Sequence, residues 1–120
     1  MKFITHSIND INIAELESEE IAIQHAEDGL EILGDAYYQG FDRIIIHLKN
    51  ITPDFIDLKN GMAGEVLQKF SNYRVRLSIV GDFSKYSSKP LQDFIHESNK
   101  GRQISFVNSL TEAIATLSQL

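Results

Sequence analysis

Residues 43–82 read RIIIHLKNITPDFIDLKNGMAGEVLQKFSNYRVRLSIVGD, and the pattern of this stretch decides the fold. Ile44, Ile45 and Ile46 form one continuous β-branched run, and Val75, Leu77, Ile79 and Val80 form a second. Short apolar runs without strict alternation suit strands covered on both faces, as in a parallel sheet. Between them, Met62, Ala63, Val66, Leu67 and Phe70 recur at helical spacing as one apolar stripe, with Glu65, Gln68 and Lys69 off it. Asn60-Gly61 interrupts the pattern before this helix and Ser71-Asn72 ends it. A strand, a crossover helix and a second strand of this length make a right-handed parallel βαβ unit. Open α/β sheets keep their sites at the carboxyl ends of the strands, so function is expected in the loops 47–60 and 82–89.

Upstream, residues 3–8 and 11–16 read as two strands joined at Asn9-Asp10, both tolerant of a left-handed backbone and suited to a two-residue hairpin turn. Ile4, His6 and Ile8, followed by Ile11 and Ile13, alternate as one buried face would, and the hairpin is expected at an edge of the sheet. The acidic patch at 17–20 reads as a solvated loop before a helix, where negative charge suits the helix dipole; the alternative is a cation or partner site. Ala26, Leu30, Leu33 and Tyr37 then supply an apolar helical stripe opposed by Glu27, Asp28, Glu31 and Asp35, with Gly40 at the stop. Gly29 and Gly34 each cost about 1 kcal/mol against Ala in a helix interior, and close packing accounts for them.

Downstream, Asp82 to Lys89 is polar and turn-rich; Ser87 or Ser88 can cap a helix that has Pro90 in its first turn and Leu91, Phe94 and Ile95 inward. Gly101 ends that helix, and residues 103–107 form a last strand. Ser109 and Glu112 then stand as a capping box for a final helix with Leu110, Ala113, Ile114 and Leu117 inward. The order is ββαβαβαβα. This is an α/β fold with a mixed, mostly parallel sheet and an antiparallel N-terminal edge hairpin, expected as a single domain over residues 1–120.

Composition narrows the function classes. A chain of 120 residues with 42% apolar content is an ordinary globular chain. Its net charge of −6 disfavours nucleic-acid backbones as partners, since such binders present a basic face. With no Cys, disulfides, thiolate ligands and thiol catalysis are excluded. MKFITHSIND lacks the apolar core of a signal peptide and no run approaches a membrane span, so the expected location is the cytoplasm.

Two resemblances follow from particular words of the sequence. The segment ITPDFIDLKNGMAGEVLQKFSNYRVRLSIVGDFSKYSSKPLQDFIHESNKGRQISFV, with YYQGFDRIIIHLKNITPDF before it, resembles the bacterial domain of unknown function 4180, a family that implies a fold and no established activity. The layout also resembles the STAS (anti-sigma-factor-antagonist) domain and related lipid-carrier-like domains. The matching words are Phe55-Ile56-Asp57 followed by Leu58-Lys59-Asn60-Gly61, and Phe106-Val107-Asn108-Ser109-Leu110-Thr111-Glu112-Ala113 at the close. That resemblance implies a regulatory interaction domain. The antagonists carry a phosphorylatable Ser just before the helix-opening Gly; here Asn60 offers no hydroxyl, which implies a fixed, unswitched surface.

The candidate site residues lie in the strand-end loops. Asn60, Gly61 and Gly64 open a helix where free N–H groups and the dipole can receive anions; the preferred reading is that Asn60 caps the helix and the glycines permit a tight turn. Ser84, Lys85, Ser87, Ser88 and Lys89 offer hydroxyls and two cations beside it. His47 and Asp82 each follow an apolar strand and form a candidate general-base pair, without a recognisable nucleophile motif. His6, His25 and His96 show no metal-ligand spacing, and no cofactor or metal is expected. Three readings stand. The first is a non-catalytic interaction or regulatory module with a protein partner. The second is a binder of a small anionic ligand at Asn60, Lys85 and Lys89, and the third a small enzyme using His47 and Asp82. Tyr37, Tyr38, Tyr73 and Tyr86 are compatible with a homodimer surface or with ordinary partial burial.

Overall fold

The computed structural model describes residues 1–120. Five strands form one sheet in the order β1-β2-β3-β4-β5: β1 (Lys2–Ile8), β2 (Ile11–Glu17), β3 (Arg43–His47), β4 (Arg76–Val80) and β5 (Ile104–Val107). β1 and β2 pair antiparallel, and every later neighbour is parallel. Asn9 and Asp10 take φ values of 51° and 68°, the two left-handed residues that a twisted two-residue hairpin needs. The helices are α1 (Ala26–Tyr38), α2 (Met62–Asn72), α3 (Lys89–Lys100) and α4 (Leu110–Leu117). The expected order of elements and the antiparallel edge are both present.

Because β2 to β5 lie side by side in chain order and crossovers are right-handed, α1, α2 and α3 must all fall on one face of the sheet. That face presents Leu16, Ile44, Ile46, Leu77, Ile79, Ile104 and Phe106, and the larger core forms between these and Ile32, Leu33, Ala36, Val66, Phe70, Leu91 and Ile95. The opposite face is left to α4, whose Ala113 and Leu117 pack on Ile13, Ile45 and Val80. Register places Ile4, Glu15, Ile45, Ser78 and Ser105 in one row across this second face.

Local chemistry sets the helix ends. Gly40, at φ 96°, closes α1 with Phe41 N–H on Ala36 O and Gly40 N–H on Tyr37 O, a Schellman motif. Ser88 Oγ accepts from Leu91 N–H at the start of α3, and Ser109 Oγ from Glu112 N–H at the start of α4. Glu112 reaches Asn108 N–H rather than Ser109 N–H, one residue off the box predicted from sequence.

Two expectations are corrected. The buried stripe of α1 is Gly29, Ile32, Leu33 and Ala36; Leu30 and Tyr37, predicted inward, are 41% and 63% exposed. α1 turns toward α2 because Gly29 lets Val66 approach within 3.0 Å of where a Cβ would stand. The hairpin face is likewise open at Ile4 and Ile8, since α4 covers β4 and β5 and leaves β1 uncovered.

Candidate functional site

A cavity of about 490 Å³ opens at the carboxyl ends of β3 and β4. Its polar lining is His47, Lys49, Asp82, Lys85 and Tyr86, and its apolar lining includes Ile21, Ile51, Pro53, Ile56 and Val80. Three elements fix its walls. Short 3₁₀ turns at Leu48–Asn50, Pro53–Ile56 and Leu58–Asn60 carry the chain from β3 to α2. The segment bearing Ile21 is held by Asn50, which is 1% exposed: its Nδ2 donates to Ser18 O and Glu20 O, and its main-chain carbonyl accepts from Ala22 and Ile23 N–H. The loop bearing Lys85 and Tyr86 is held by Gln92 Nε2, which donates to Phe83 O and Tyr86 O, while the Phe83 ring meets Phe106 edge-on. Gly81 forms part of the floor because a Cβ there would lie 2.7 Å from Leu48 Cβ.

Behind the cavity, Glu15 joins three strands. His47 Nε2 lies 2.6 Å from Glu15 Oε2 and His6 Nε2 lies 2.8 Å from Oε1. The residue is only 8% exposed. Burial pushes its carboxyl up, but the hydrogen bonds and charge of His47 and His6 together outweigh this, and the net shift is downward. An ionised carboxylate only accepts, so both imidazoles present N–H to it. His47 Nδ1 has no partner in the chain. The two rings take opposite oxygens with the carboxylate between them, and no group of three His, Asp or Glu side chains converges to hold a metal ion.

The structure brings some of the sequence candidates together and separates others. His47, Asp82 and Lys85 share the cavity. The carboxylate on His47 is nevertheless Glu15, not Asp82. Asp82 Oδ1 accepts from Ser84 N–H and Oγ–H, and those bonds hold its carboxyl below the ordinary value. Asn60 lies outside the cavity. Its Oδ1 accepts from Met62 N–H and its Nδ2 donates to Asp54 O, and the hollow beside it is lined by Glu27, Asp54 and Glu65, which repel anions. Gly61, at φ 76°, and exposed Gly64 belong to that same helix start. Ser88 is a cap, Ser87 is exposed, and Lys89 pairs with Asp93 at 2.8 Å. Asn60, Lys85 and Lys89 therefore do not share one concavity.

A second concavity lies between α1 and the end of α2, lined by Leu30, Leu33, Gly34, Tyr37 and Tyr73. Tyr37 and Tyr73 are 63% and 60% exposed. At 100° per residue, the apolar strip Leu33–Tyr37–Leu30–Gly34 lies between the buried side of α1 and a stripe of Glu27, Glu31, Asp35 and Asp28. α1 carries no basic residue.

Sequence reasoning missed Glu15, His6, Lys49, Asn50 and Gln92, which act through partners on other elements. Glu15 left one trace: it is a charge at an inward position of an alternating strand, two residues after Ile13.

Fold and site together define a small α/β domain whose parallel strands end in a half-apolar cavity and whose crossover helices leave an apolar groove. No helix is long and apolar enough to cross a membrane. The family model for the domain of unknown function DUF4180 matches residues 8–117, and the chain belongs to that family. A solved protein of Thermotoga maritima, provisionally described as an anti-sigma factor antagonist, aligns over 98% of this chain and 95% of its own, at 13% identity and a TM-score of 0.49. No curated protein matches the chain.

Proposed function

We propose that this protein is a non-catalytic regulatory module that binds a protein partner in the groove between α1 and α2. The partner presents a basic amphipathic helix. The observation that carries the reading is the apolar strip Leu30–Gly34–Tyr37, open to solvent beside buried Leu33 and flanked by the carboxylates of Glu27, Glu31 and Asp35 on the same helix. Apolar helix faces bind in such grooves through anchors at helical spacing, and exposed tyrosines are enriched at interfaces. The acidic flank selects a partner with Lys or Arg beside its apolar stripe and speeds the encounter.

A labelled peptide of Leu and Lys at helical spacing, about five turns long at 3.6 residues per turn, tests this by fluorescence anisotropy. Saturable binding that weakens with added salt is expected, with a matching Leu and Glu peptide binding at least about tenfold more weakly. Gly34→Leu should abolish binding without unfolding the chain, because a Cβ at Gly34 meets nothing within 4 Å and Gly34 lines the groove that the larger side chain would fill. Equal binding of the acidic peptide, or full binding by Gly34→Leu, would refute the reading.

A further inference from the structure

The strand-end cavity runs against the charge of the rest of the chain. The net charge is −6, yet the cavity collects two ammonium groups, Lys49 and Lys85, that carry no ion pair. The lysines that do pair with carboxylates are Lys2, Lys89 and Lys100. Lys85 stands over the Tyr86 ring at 5.5 Å, a contact that leaves its N–H donors free. One carboxylate, Asp82, belongs to the lining, and Ser84 already occupies its Oδ1. Glu15 is not part of the lining, and its two oxygens are taken up by the imidazoles of His6 and His47. The rest of the wall is aliphatic: Ile21, Ile51, Pro53, Ile56 and Val80.

The geometry points to this cavity as the binding site of a small organic anion, a carboxylate or phosphate on a short apolar body. Lys49 and Lys85 neutralise the anionic group, and the body lies against Ile21, Ile51 and Ile56. Asp82 Oδ2, which makes no bond within the chain, is free to accept from a hydroxyl or amide donor on the ligand. The volume of about 490 Å³ suits a small molecule. Two features keep the cavity ready without a ligand: Asn50 and Gln92 hold the backbone of both loop walls, and Glu15 holds the His47 ring in place. The inference is independent of the groove, which lies between helices on other residues.

The test is a titration of the ¹⁵N-labelled chain with hexyl phosphate, hexanoate and inorganic phosphate, read from amide chemical shifts. Shifts are expected to centre on Ile21, His47 to Ile51 and Gly81 to Tyr86. Hexyl phosphate should bind at least about tenfold more tightly than inorganic phosphate. The exposed pair Lys49→Ala and Lys85→Ala should weaken binding about tenfold or more. A control pair with the same charge change, Lys59→Ala and Lys100→Ala, should alter it less than about twofold. Preference for hexanoate over hexyl phosphate would assign the anion as a carboxylate, the reverse a phosphate; either supports the site. Equal weakening by both variant pairs, shifts centred away from the cavity, or equal affinity for inorganic and hexyl phosphate would overturn it.

Discussion

Gly29 and Gly34 lie on one helix and have opposite surroundings. A Cβ at Gly29 would meet Val66 Cγ1 at 3.0 Å, so the glycine is what lets α1 and α2 close together. A Cβ at Gly34 would meet nothing within 4 Å. Sequence assigns both the same cost, about 1 kcal/mol each against Ala, and the same explanation, close packing. Structure separates them. Gly34→Ala is expected to stabilise the chain by up to about 1 kcal/mol, and Gly29→Ala to give no gain or a loss of similar size as Val66 is pushed aside. Paired denaturant titrations check this; equal gains at both sites would show that the helices do not meet closely at Gly29.

At the scale of elements, the last helix is held by charge as well as by packing. α4 buries Ala113 and Leu117 against Ile13, Ile45 and Val80 on the less covered face of the sheet. Its carboxyl end points at two arginines that begin strands. Arg76 donates to Thr116 O, Gln119 O and Arg102 O, and Arg43 Nη1 donates to Leu117 O and Gln119 O. Unpaired carbonyls and the negative end of the helix dipole are satisfied together. Arg76→Ala should cost about 1–3 kcal/mol. It should also speed hydrogen exchange in α4 more than in α2, and Arg76→Lys should recover little because an ammonium lacks the guanidinium fork. Uniform exchange across both helices would count against the clamp. None of this was legible locally: Arg43 and Arg76 stand beside apolar strand runs, and their targets at the end of α4 lie 40 or more residues away.

At the scale of the whole molecule, Glu15 ties the edge hairpin to the parallel sheet through His6 and His47. Its folded value lies below the ordinary 4.5, so the fold favours the ionised form. Its contribution is complete above the unfolded value and is lost as pH falls through the folded one. Glu15→Gln should therefore be less stable than the parent near neutrality, by about 2 kcal/mol, and the gap should shrink below about pH 4.5. A gap that stays constant down to about pH 3 would show that the carboxylate is not what the histidines hold.

The elements themselves were legible. Residues 43–82 carry a change of period from strand to helix and back, and that period, with Asn9-Asp10, Gly40, Ser88 and Ser109 at the boundaries, encodes local geometry in residues a few positions apart. With the strand order the structure shows, crossover handedness then puts α1, α2 and α3 on one face. What only the tertiary structure decided is which distant side chains meet. Glu15 finds His6 and His47 through the register of three strands, and Lys49 joins Lys85 because Asn50 and Gln92 hold two loops over the same strand ends. α1 turns its Leu30–Tyr37 strip outward because a glycine-to-valine contact rotates the helix toward Gly29. Periodicity records that a face is apolar; the helix or solvent that meets that face is chosen by long-range packing, which no local pattern contains.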